Sequence, residues 1–427
     1  MARGDARIVV QNVSLRNGAV LYVMGGGGLR GAGVTEGDEV RSVELSVCGV
    51  DAFNGAIVLT GKFPVGSVMT ITDSLLITTE PTPFVYLPGS ESSPYAPVLV
   101  LSDLRLVNST LVVSGVAFLT VTRDGRAVAF DGAALELHGS SVALDAVVFG
   151  GESALYASAR VEVAGGAVLR VSESRVYAAR GLVFAGGLAS NASAVVVNDN
   201  TGVLSEGAML VLWGSASLAS GSWLSVRGND IVGRLLSAPS YPRVVELRQS
   251  ILTLHGNTGS GSQVMDGAVS TGGAGGEFVV GCVRHNGRAL EAAEYASVGI
   301  TGYTRIVACN TCDVGVGCFA AATRSMSDSC RCRCAEGGYG RDCLPLQLPR
   351  VDGCNRTVDR QNRTVDRQNR TVACPALGVT TPSGRGLTLA DIRTSSAAPK
   401  KLTVALPPGF RWARDTDLRP YLSFALA

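Results

Sequence analysis

The chain is poor in charge, in aromatic side chains and in histidine. Charged residues make up 17% of it, aromatic residues 6%, and only three histidines occur. The formal net charge is +2, so the basic footprint of a nucleic-acid binder or of a protein held on anionic membranes is missing. No apolar run reaches the ~18 residues that a membrane-spanning helix needs. The composition therefore argues against nucleic-acid binding and membrane-surface attachment.

Apolar residues are nevertheless abundant. They account for 46% of the chain, and with so few aromatics this share comes from Val, Leu and Ala, beside 53 glycines. Much Val, Gly and Ser with little Glu or Lys is typical of an all-β protein.

One short pattern recurs between Leu104 and Asn257: a strand, a tight polar corner, and a second strand. Apolar residues alternate with polar ones on both sides of a Ser-, Gly- or Asn-containing break, which predicts strands with one buried and one exposed face. The copies begin at Leu104, Ala134, Val168, Met209 and Val245.

Such strands cannot bury a face alone, but stacked units can, as in a solenoid. The copies are roughly 30 to 40 residues apart, so each interval holds more than one strand–corner unit. A right-handed parallel β-helix and a series of β-sandwiches both fit. We favour the β-helix because sandwich hairpins prefer Asn-Gly and Asp-Gly turns, whereas most breaks here are rich in Ser.

The expected organisation is an all-β protein in four segments, with a short helix over Arg288–Tyr295. Prolines between Pro81 and Pro97 mark a seam, because proline cannot donate to a β ladder. The segments are a β-rich start of the solenoid (1–97), the β-helix repeats (98–280), a cysteine-rich EGF-like part (281–345), and a polar glycosylated linker with a β-rich tail (346–427).

Eleven cysteines occur, and ten of them are clustered. Cys48 stands apart and is expected to be a buried free thiol or to pair with another chain. Dense clustering of an even number predicts disulfides and an oxidising compartment. Zinc is the alternative, because Cys309 and Cys312 have ligand spacing, but the Cys-x-Cys-x-Cys run disfavours it. The disulfide candidates are Cys282, Cys309, Cys312, Cys318, Cys330, Cys332, Cys334, Cys343, Cys354 and Cys374.

The stretch from Cys332 to Cys343 matches the second half of an EGF-like module. Its order is Cys332, one residue, Cys334, then Gly337 and Gly340 before Cys343. Such a hairpin is stapled shut by disulfides, with glycine where the turn needs a positive φ. The sequence leaves the pairing of these cysteines open.

Six Asn-x-Ser/Thr sequons are candidate glycosylation sites. Two fall at predicted corners, and the last three lie in a repeated seven-residue unit that is typical of a solvated spacer. They are Asn12, Asn108, Asn191, Asn355, Asn362 and Asn369.

Other short motifs carry little weight. The tripeptide Arg3-Gly4-Asp5 is integrin-like but too short to argue from. Gly26, Gly28 and Gly31 spell a dinucleotide-binding pattern, which we reject because no helix follows to hold a phosphate.

Enzyme constellations are scarce, and no cofactor or metal is predicted. The histidines, His138, His255 and His285, form no metal or catalytic motif, and the first two are expected to face solvent or cap strands. By analogy with polysaccharide-acting β-helices, carboxylates near corners are the only acidic candidates, and a structural corner role is the ordinary alternative. They are Asp131, Asp145, Asp199 and Asp230.

Three features together resemble the dispersed gene family surface proteins of trypanosomes. They are the Val/Leu/Ser/Gly repeats with Asn-Ser-Thr corners (104–118), the recurring Phe-Gly-Gly and Phe-Ala-Gly-Gly motifs (147–151 and 182–187), and the cysteine run ending at Cys343. The resemblance implies a large glycosylated surface protein with a β-helical ectodomain, EGF-like modules and C-terminal membrane helices. This chain is much shorter, shows neither those helices nor a secretory signal, and is expected to be a fragment or a truncated copy.

The expected function is that of a cell-surface or extracellular adhesin that presents a long solenoid face to host matrix or cell-surface proteins or glycans. Two alternatives stay open. A carbohydrate-active β-helix enzyme requires the four aspartates to be close enough to couple. A non-functional truncated copy predicts ragged solenoid ends with exposed apolar strand edges.

Overall fold

The computed structural model describes most of the chain up to residue 345 and short strands beyond it. All structural statements below refer to these residues. They are 4–11, 13–16, 20–25, 40–53, 55–78, 99–120, 125–238, 244–271, 275–309, 312–327, 331–336, 338–339 and 342–345, together with 357–358, 364–365, 379–380, 393–398, 401–406, 411–412 and 422–426.

The chain winds into a parallel β-solenoid, as predicted. Equivalent strands of successive coils pair in parallel and in register, and equivalent residues of coils 3 to 9 lie 26 to 31 residues apart wherever no longer insertion intervenes. One side of every coil belongs to an 11-stranded sheet, the first side, and coil n begins with its nth strand. These strands are Gly4–Gln11, Val40–Cys48, Val68–Thr72, Thr110–Ser114, Ser141–Asp145, Val168–Ser172, Ala194–Asn198, Trp223–Arg227, Ile251–His255, Glu277–Gly281 and Arg305–Ile306.

The rest of each coil contributes to a 22-stranded sheet that turns through a second, a third and a fourth side. In coils 5 to 8 one long strand bends from the second side into the third. The strands are Ser14–Arg16, Val20–Gly25, Asp51–Phe53, Ala56–Lys62, Leu75–Thr78, Leu99–Val107, Ala117–Thr120, Arg126–Asp131, Ala134–His138, Val148–Ala157, Arg160–Ala164, Arg175–Phe184, Leu188–Asn191, Thr201–Leu212, Ala216–Ala219, Asp230–Ser237, Val245–Arg248, Thr258–Gly259, Met265–Asp266, Val269–Ser270, Arg284–His285 and Arg288–Ala289.

The corners on both sides of the first sheet share one design. A residue with left-handed backbone turns the chain, and the next side chain points into the stack and is buried. Glycine adopts this conformation at no steric cost, but several corners use a larger residue instead. After the first side the turning residues are Gly49, Asp73, Gly115, Ala146, Glu173, Asp199, Gly228, Gly256 and Cys282.

Where the buried corner residue of the next coil is Ser or Asn, the buried residue of a corner hydrogen-bonds to it. The backbone N–H of Ser193 donates to Ser222 Oγ at 3.4 Å, and Ser222 N–H donates to Ser250 Oγ at 3.2 Å. At the opposite corner Asn200 Nδ2 donates to Asn229 Oδ1 and Asn229 Nδ2 to Asn257 Oδ1, both at 2.9 Å. These ladders satisfy polar groups inside the stack and hold neighbouring coils in register.

The solenoid interior is a single apolar core, but burial extends beyond it. Val195 and Val197 point into that core, yet Ala194 and Val196 of the same strand are also buried. The expectation of one exposed face is therefore wrong for much of the first and third sides, because further chain packs on the outside. Strands buried on both faces lose the polar alternation.

The C-terminal end of the solenoid is closed. Cys282 and Cys309, which lie 27 residues apart, form a disulfide between the last two coils. The expected helix over 288–295 is displaced, because Asn286 and Gly287 form a tight turn that pairs Arg284–His285 with Arg288–Ala289. A 3-10 helix follows at Ala292–Val298 and buries two side chains in the core.

Beyond the solenoid, the cysteine-rich segment contains a 3-10 helix and one antiparallel hairpin. Two disulfides, Cys318–Cys332 and Cys334–Cys343, staple it. Its elements are Ala320–Ala322, Thr323–Met326 and Cys332–Cys334. Toward the C-terminus lie Thr357–Val358 with Thr364–Val365, Val379–Thr380 with Arg411–Trp412, and a three-stranded sheet of Arg393–Ala398, Lys401–Leu406 and Leu422–Leu426.

Candidate interaction face

The cysteine-rich segment folds back over the outside of the first side. The indole ring of Trp223 stacks on Phe319 with ring centroids 6.3 Å apart, and Trp223 Nε1 donates to Thr253 Oγ1 at 3.1 Å. Thr253 Oγ1 in turn donates to the carbonyl of Gly315 at 2.7 Å. The first side of these coils is thus covered, and the segment forms a packed cover over it.

Ion pairs fasten this cover. Arg227 donates to the carbonyl of Gly317 and to Asp342 Oδ1, each at 2.8 Å, and its side chain is only 15% exposed. Three coils further on, Arg305 pairs with Asp313 of the same segment. Charged hydrogen bonds with little solvent contact are stronger than exposed ones, so Arg227 is a main attachment point.

His255 lies beneath the cover. It was expected to face solvent or cap a strand, but burial lowers its pKa, and the neighbouring Arg227 lowers it further. A backbone hydrogen bond at Ala308 and the carboxylate of Asp313 act in the opposite direction. The site therefore favours the neutral imidazole.

The second side of coils 6 to 8 is open on its outer surface. Tyr177, Val203 and Val232 occupy equivalent positions of three successive coils. Val232 is 56% exposed, and the other two are partly exposed. Beside them Arg175, Thr201 and Asp230 form an exposed polar row.

Arg180 lies where the long strand Arg175–Phe184 bends, and its guanidinium contacts charged and aromatic side chains. Its guanidinium lies 3.6 Å from a Glu152 oxygen and 3.9 Å from a Glu206 oxygen. It also lies 5.0 Å from the ring centroid of Trp213, a tryptophan that is 40% exposed. Arginine, tryptophan and tyrosine are the residues enriched at binding hot spots. We call Tyr177, Arg180, Val203, Trp213 and Val232 the interaction face.

The two described sequon residues lie elsewhere. Asn108 and Asn191 are exposed at the corner between the fourth side and the first, three coils apart. With ~4.8 Å between strands, they are separated by about 14 Å along the solenoid. Glycans there would stand on a different edge from the interaction face. Their glycosylation stays a prediction. Asn12, Asn355, Asn362 and Asn369 lie outside the described residues.

The four candidate aspartates are not brought together. Asp131 accepts from Ser158 Oγ at 2.8 Å on the outside of the third side, whereas Asp145 pairs with Arg170 on the first side. Asp199 and Asp230 flank the corner between the first and second sides in neighbouring coils. These four therefore lack the grouping that carbohydrate hydrolysis requires, and each has the corner or pairing role of an ordinary structural aspartate.

The eight cysteines among the described residues are all disulfide-bonded. Cys309 bonds to Cys282, which removes it from the zinc alternative, and among the described residues no group of three metal-binding side chains occurs. Cys312 is also disulfide-bonded. Cys48 is buried and disulfide-bonded, so the expectation of a free thiol is wrong. Cys330, Cys354 and Cys374 lie outside the described residues, as do Arg3 and Gly26, Gly28 and Gly31.

Sequence reasoning missed the interaction face. A single exposed tryptophan carries no periodic signal, and Arg180 belongs to a strand whose bend moves it next to Glu152 and Glu206. The only signal in the sequence is the break of alternation at Ala179-Arg180-Gly181, which marks that bend.

These features define a parallel β-solenoid whose coils are locked by polar ladders and whose first side is partly covered by a disulfide-stapled segment. No helix among the described residues is long and apolar enough to cross a membrane. Three family models match the chain: the DGF-1 beta-sheet domain over residues 7–175, the DGF-1 N-terminal domain over 245–344, and dispersed gene family protein 1, region 4, over 383–427. The chain belongs to the dispersed gene family protein 1 family.

The solenoid continues between the first two matched ranges, with first-side strands at Ala194–Asn198 and Trp223–Arg227. The coils therefore do not stop where one family model ends. No curated protein and no solved structure matches the chain.

Proposed function

We propose that this chain is an adhesin-like surface protein that binds host matrix or cell-surface proteins or glycans through the interaction face. The observation that carries the proposal is the exposed row of Tyr177, Val203 and Val232 on the open second side. At the bend beside this row, Arg180 lies against Trp213, which directly follows the third-side end of its strand. An exposed group of aromatic, arginine and aliphatic side chains on a rigid sheet has the composition of a protein-binding hot spot.

The surroundings support the same face. The cover occupies the first side, and the candidate glycans at Asn108 and Asn191 belong to another corner. No sequon falls within the strands that carry the interaction face. The cysteine-rich segment is proposed to be EGF-like, supported by its stapled hairpin, and to protect the first side.

The test is a binding assay with the chain secreted behind a supplied signal peptide and confirmed to be monomeric. Saturable binding to coated matrix proteins or host-type cells is expected. It should fall at least tenfold in Trp213→Ala and Arg180→Ala, because hot-spot residues carry most of an interface's affinity. Arg248→Ala, an exposed arginine on the fourth side paired with Glu246, is the matched control and should bind normally.

Treatment with a reductant distinguishes which part of the protein binds. Binding that survives reduction assigns the activity to the solenoid face, whereas binding that is lost assigns it to the disulfide-stapled segment. A folded, soluble chain that binds none of these surfaces would remove the adhesin proposal.

A further inference from the structure

The third side carries a row of apolar residues on its outer surface. In each strand the neighbours point into the core, as Ile57 and Leu59 do, and the residue between them points outward. Register pairing places these outward residues side by side in six successive coils. We call them the apolar stripe: Val58, Val100, Ala129, Tyr156, Val183 and Val211.

The apolar stripe is long and continuous. Five intervals between strands at ~4.8 Å give a length of about 24 Å. The strand sequences show no polar alternation here, as in Leu99-Val100-Leu101 and Leu182-Val183-Phe184. Strands that are apolar on both faces are typical of sheets covered on both faces, and an exposed stripe of this length would mark an interaction site.

The stripe is in fact covered. Val100 is 3% exposed, Val183 0% and Val211 2%, although none of the three points into the core. Ala208 joins Val183 and Val211 in a separate buried cluster, with Tyr156 packed against it. Chain from outside the coil must therefore lie on this surface.

A C-terminal strand occupies part of it. Arg393–Ala398 lies against the long strands of coils 6 and 7, Arg175–Phe184 and Thr201–Leu212. Both edges of these two strands are already paired within the solenoid, and their inner faces form the core. Only the outer face is left for Arg393–Ala398 to contact.

Burial shows which half of that outer face is occupied. On the second side Tyr177 and Val203 are partly exposed, and the neighbouring Val232 is 56% exposed. On the third side Val183 and Val211 are buried. The C-terminal strand therefore lies on the apolar stripe and leaves Tyr177, Val203 and Val232 of the second side at least partly exposed.

We propose that the part of the apolar stripe in coils 6 and 7 is the docking surface for a C-terminal segment of this chain, described at Arg393–Ala398, Lys401–Leu406 and Leu422–Leu426. These strands lie in the range that matches region 4 of the family. Their three-stranded sheet is fastened to the solenoid through Arg393–Ala398. The segment shields the stripe from solvent and from other copies of the protein.

The experiment is hydrogen–deuterium exchange on the full chain. Val183→Asp places a charge in the stripe, and Val232→Asp is the matched control, the same change on the open second side. Backbone amides of 393–406 should exchange about tenfold faster in Val183→Asp than in the control, because a docked strand exchanges only after it detaches. Amides of the first-side strands Ala194–Asn198 and Trp223–Arg227 should be unchanged in both.

A second variant and a second measurement keep the test decisive. If Val183→Asp unfolds the coil, Val211→Thr removes only apolar contact and retains a β-branched side chain. Equal exchange of 393–406 in wild type, stripe variants and control overturns the proposal. So does a self-associating wild type whose stripe variants become monomeric without a change at 393–406, because the occupant is then a second copy.

Discussion

At the scale of single residues, the corners decide how well the coils stack. Each corner combines a left-handed residue, which turns the chain, with a buried polar or apolar residue that meets its counterpart above and below. The asparagine positions are the most constrained, because an amide both donates and accepts inside the stack.

Replacing Asn229 with alanine should destabilise the protein by about 3 kcal/mol, since buried groups that lose their partners each cost ~1–3 kcal/mol. Asn229 accepts from Asn200 Nδ2 and donates to the carbonyl of Val197, at 2.9 and 2.8 Å. Urea unfolding measures the loss. Thr201→Ala, an exposed change in the same region, is the control and should cost under about 0.5 kcal/mol. Equal effects would contradict the ladder's role.

Ala146 turns a corner with φ at 53°, a conformation that strains any residue with a Cβ. Ala146→Gly should therefore stabilise the protein by about 0.5–1 kcal/mol in the same unfolding experiment. Ala143→Gly, buried in the preceding strand, should instead destabilise it by about 1 kcal/mol. A loss of stability in both variants would show that the left-handed backbone carries no strain.

At the scale of elements, the cover on the first side is the least predictable part. The cysteine spacing predicted a disulfide-stapled hairpin over Cys332–Cys343; the disulfide Cys334–Cys343 is present, but the hairpin itself pairs Thr323–Met326 with Cys332–Cys334. Where that hairpin lies is set by Trp223, Arg227 and Phe319, whose contacts join residues about 90 or more positions apart. Such long-range contacts leave no local pattern in the sequence.

The free energy of unfolding should decrease as the pH is lowered. The pKa of His255 is lowered in the folded protein, so the unfolded chain takes up a proton first as the pH drops below about 6.5. The stability due to neutral His255 is complete above that pH and decreases below it. Unfolding free energies between pH 7.5 and 5 should fall more steeply for wild type than for His255→Gln. If the two proteins lose stability equally over this pH range, His255 is not the cause of the loss.

At the scale of the whole molecule, stability is a sum of neighbouring coils. Each coil contacts mainly the coils before and after it. A structural change at one end should therefore have little effect on distant coils. The Cys282–Cys309 disulfide joins the last two coils at such an end.

Removing that disulfide tests this view. Cys282→Ser with Cys309→Ser should cost about 3.5 kcal/mol on the loop-entropy scale for 27 residues. Hydrogen exchange should accelerate in Glu277–Gly281 and much less in Val168–Ser172, four coils away. Uniform acceleration along the solenoid would show a single cooperative unit instead.

The sequence by itself determined the β-solenoid, the positions of the corners and the use of cysteine in disulfides, because these depend on neighbours in the chain: alternating strands, Ser or Asn after a turning residue, and dense Cys spacing. It also carried the family resemblance. Only the tertiary structure decided which outer faces are covered and which one is open. Trp223 and Val183 are buried and Val232 is exposed, although all three lie in strands with similar sequence patterns. The physical reason is that outer-face burial depends on distant segments folding back, and strand periodicity does not encode that.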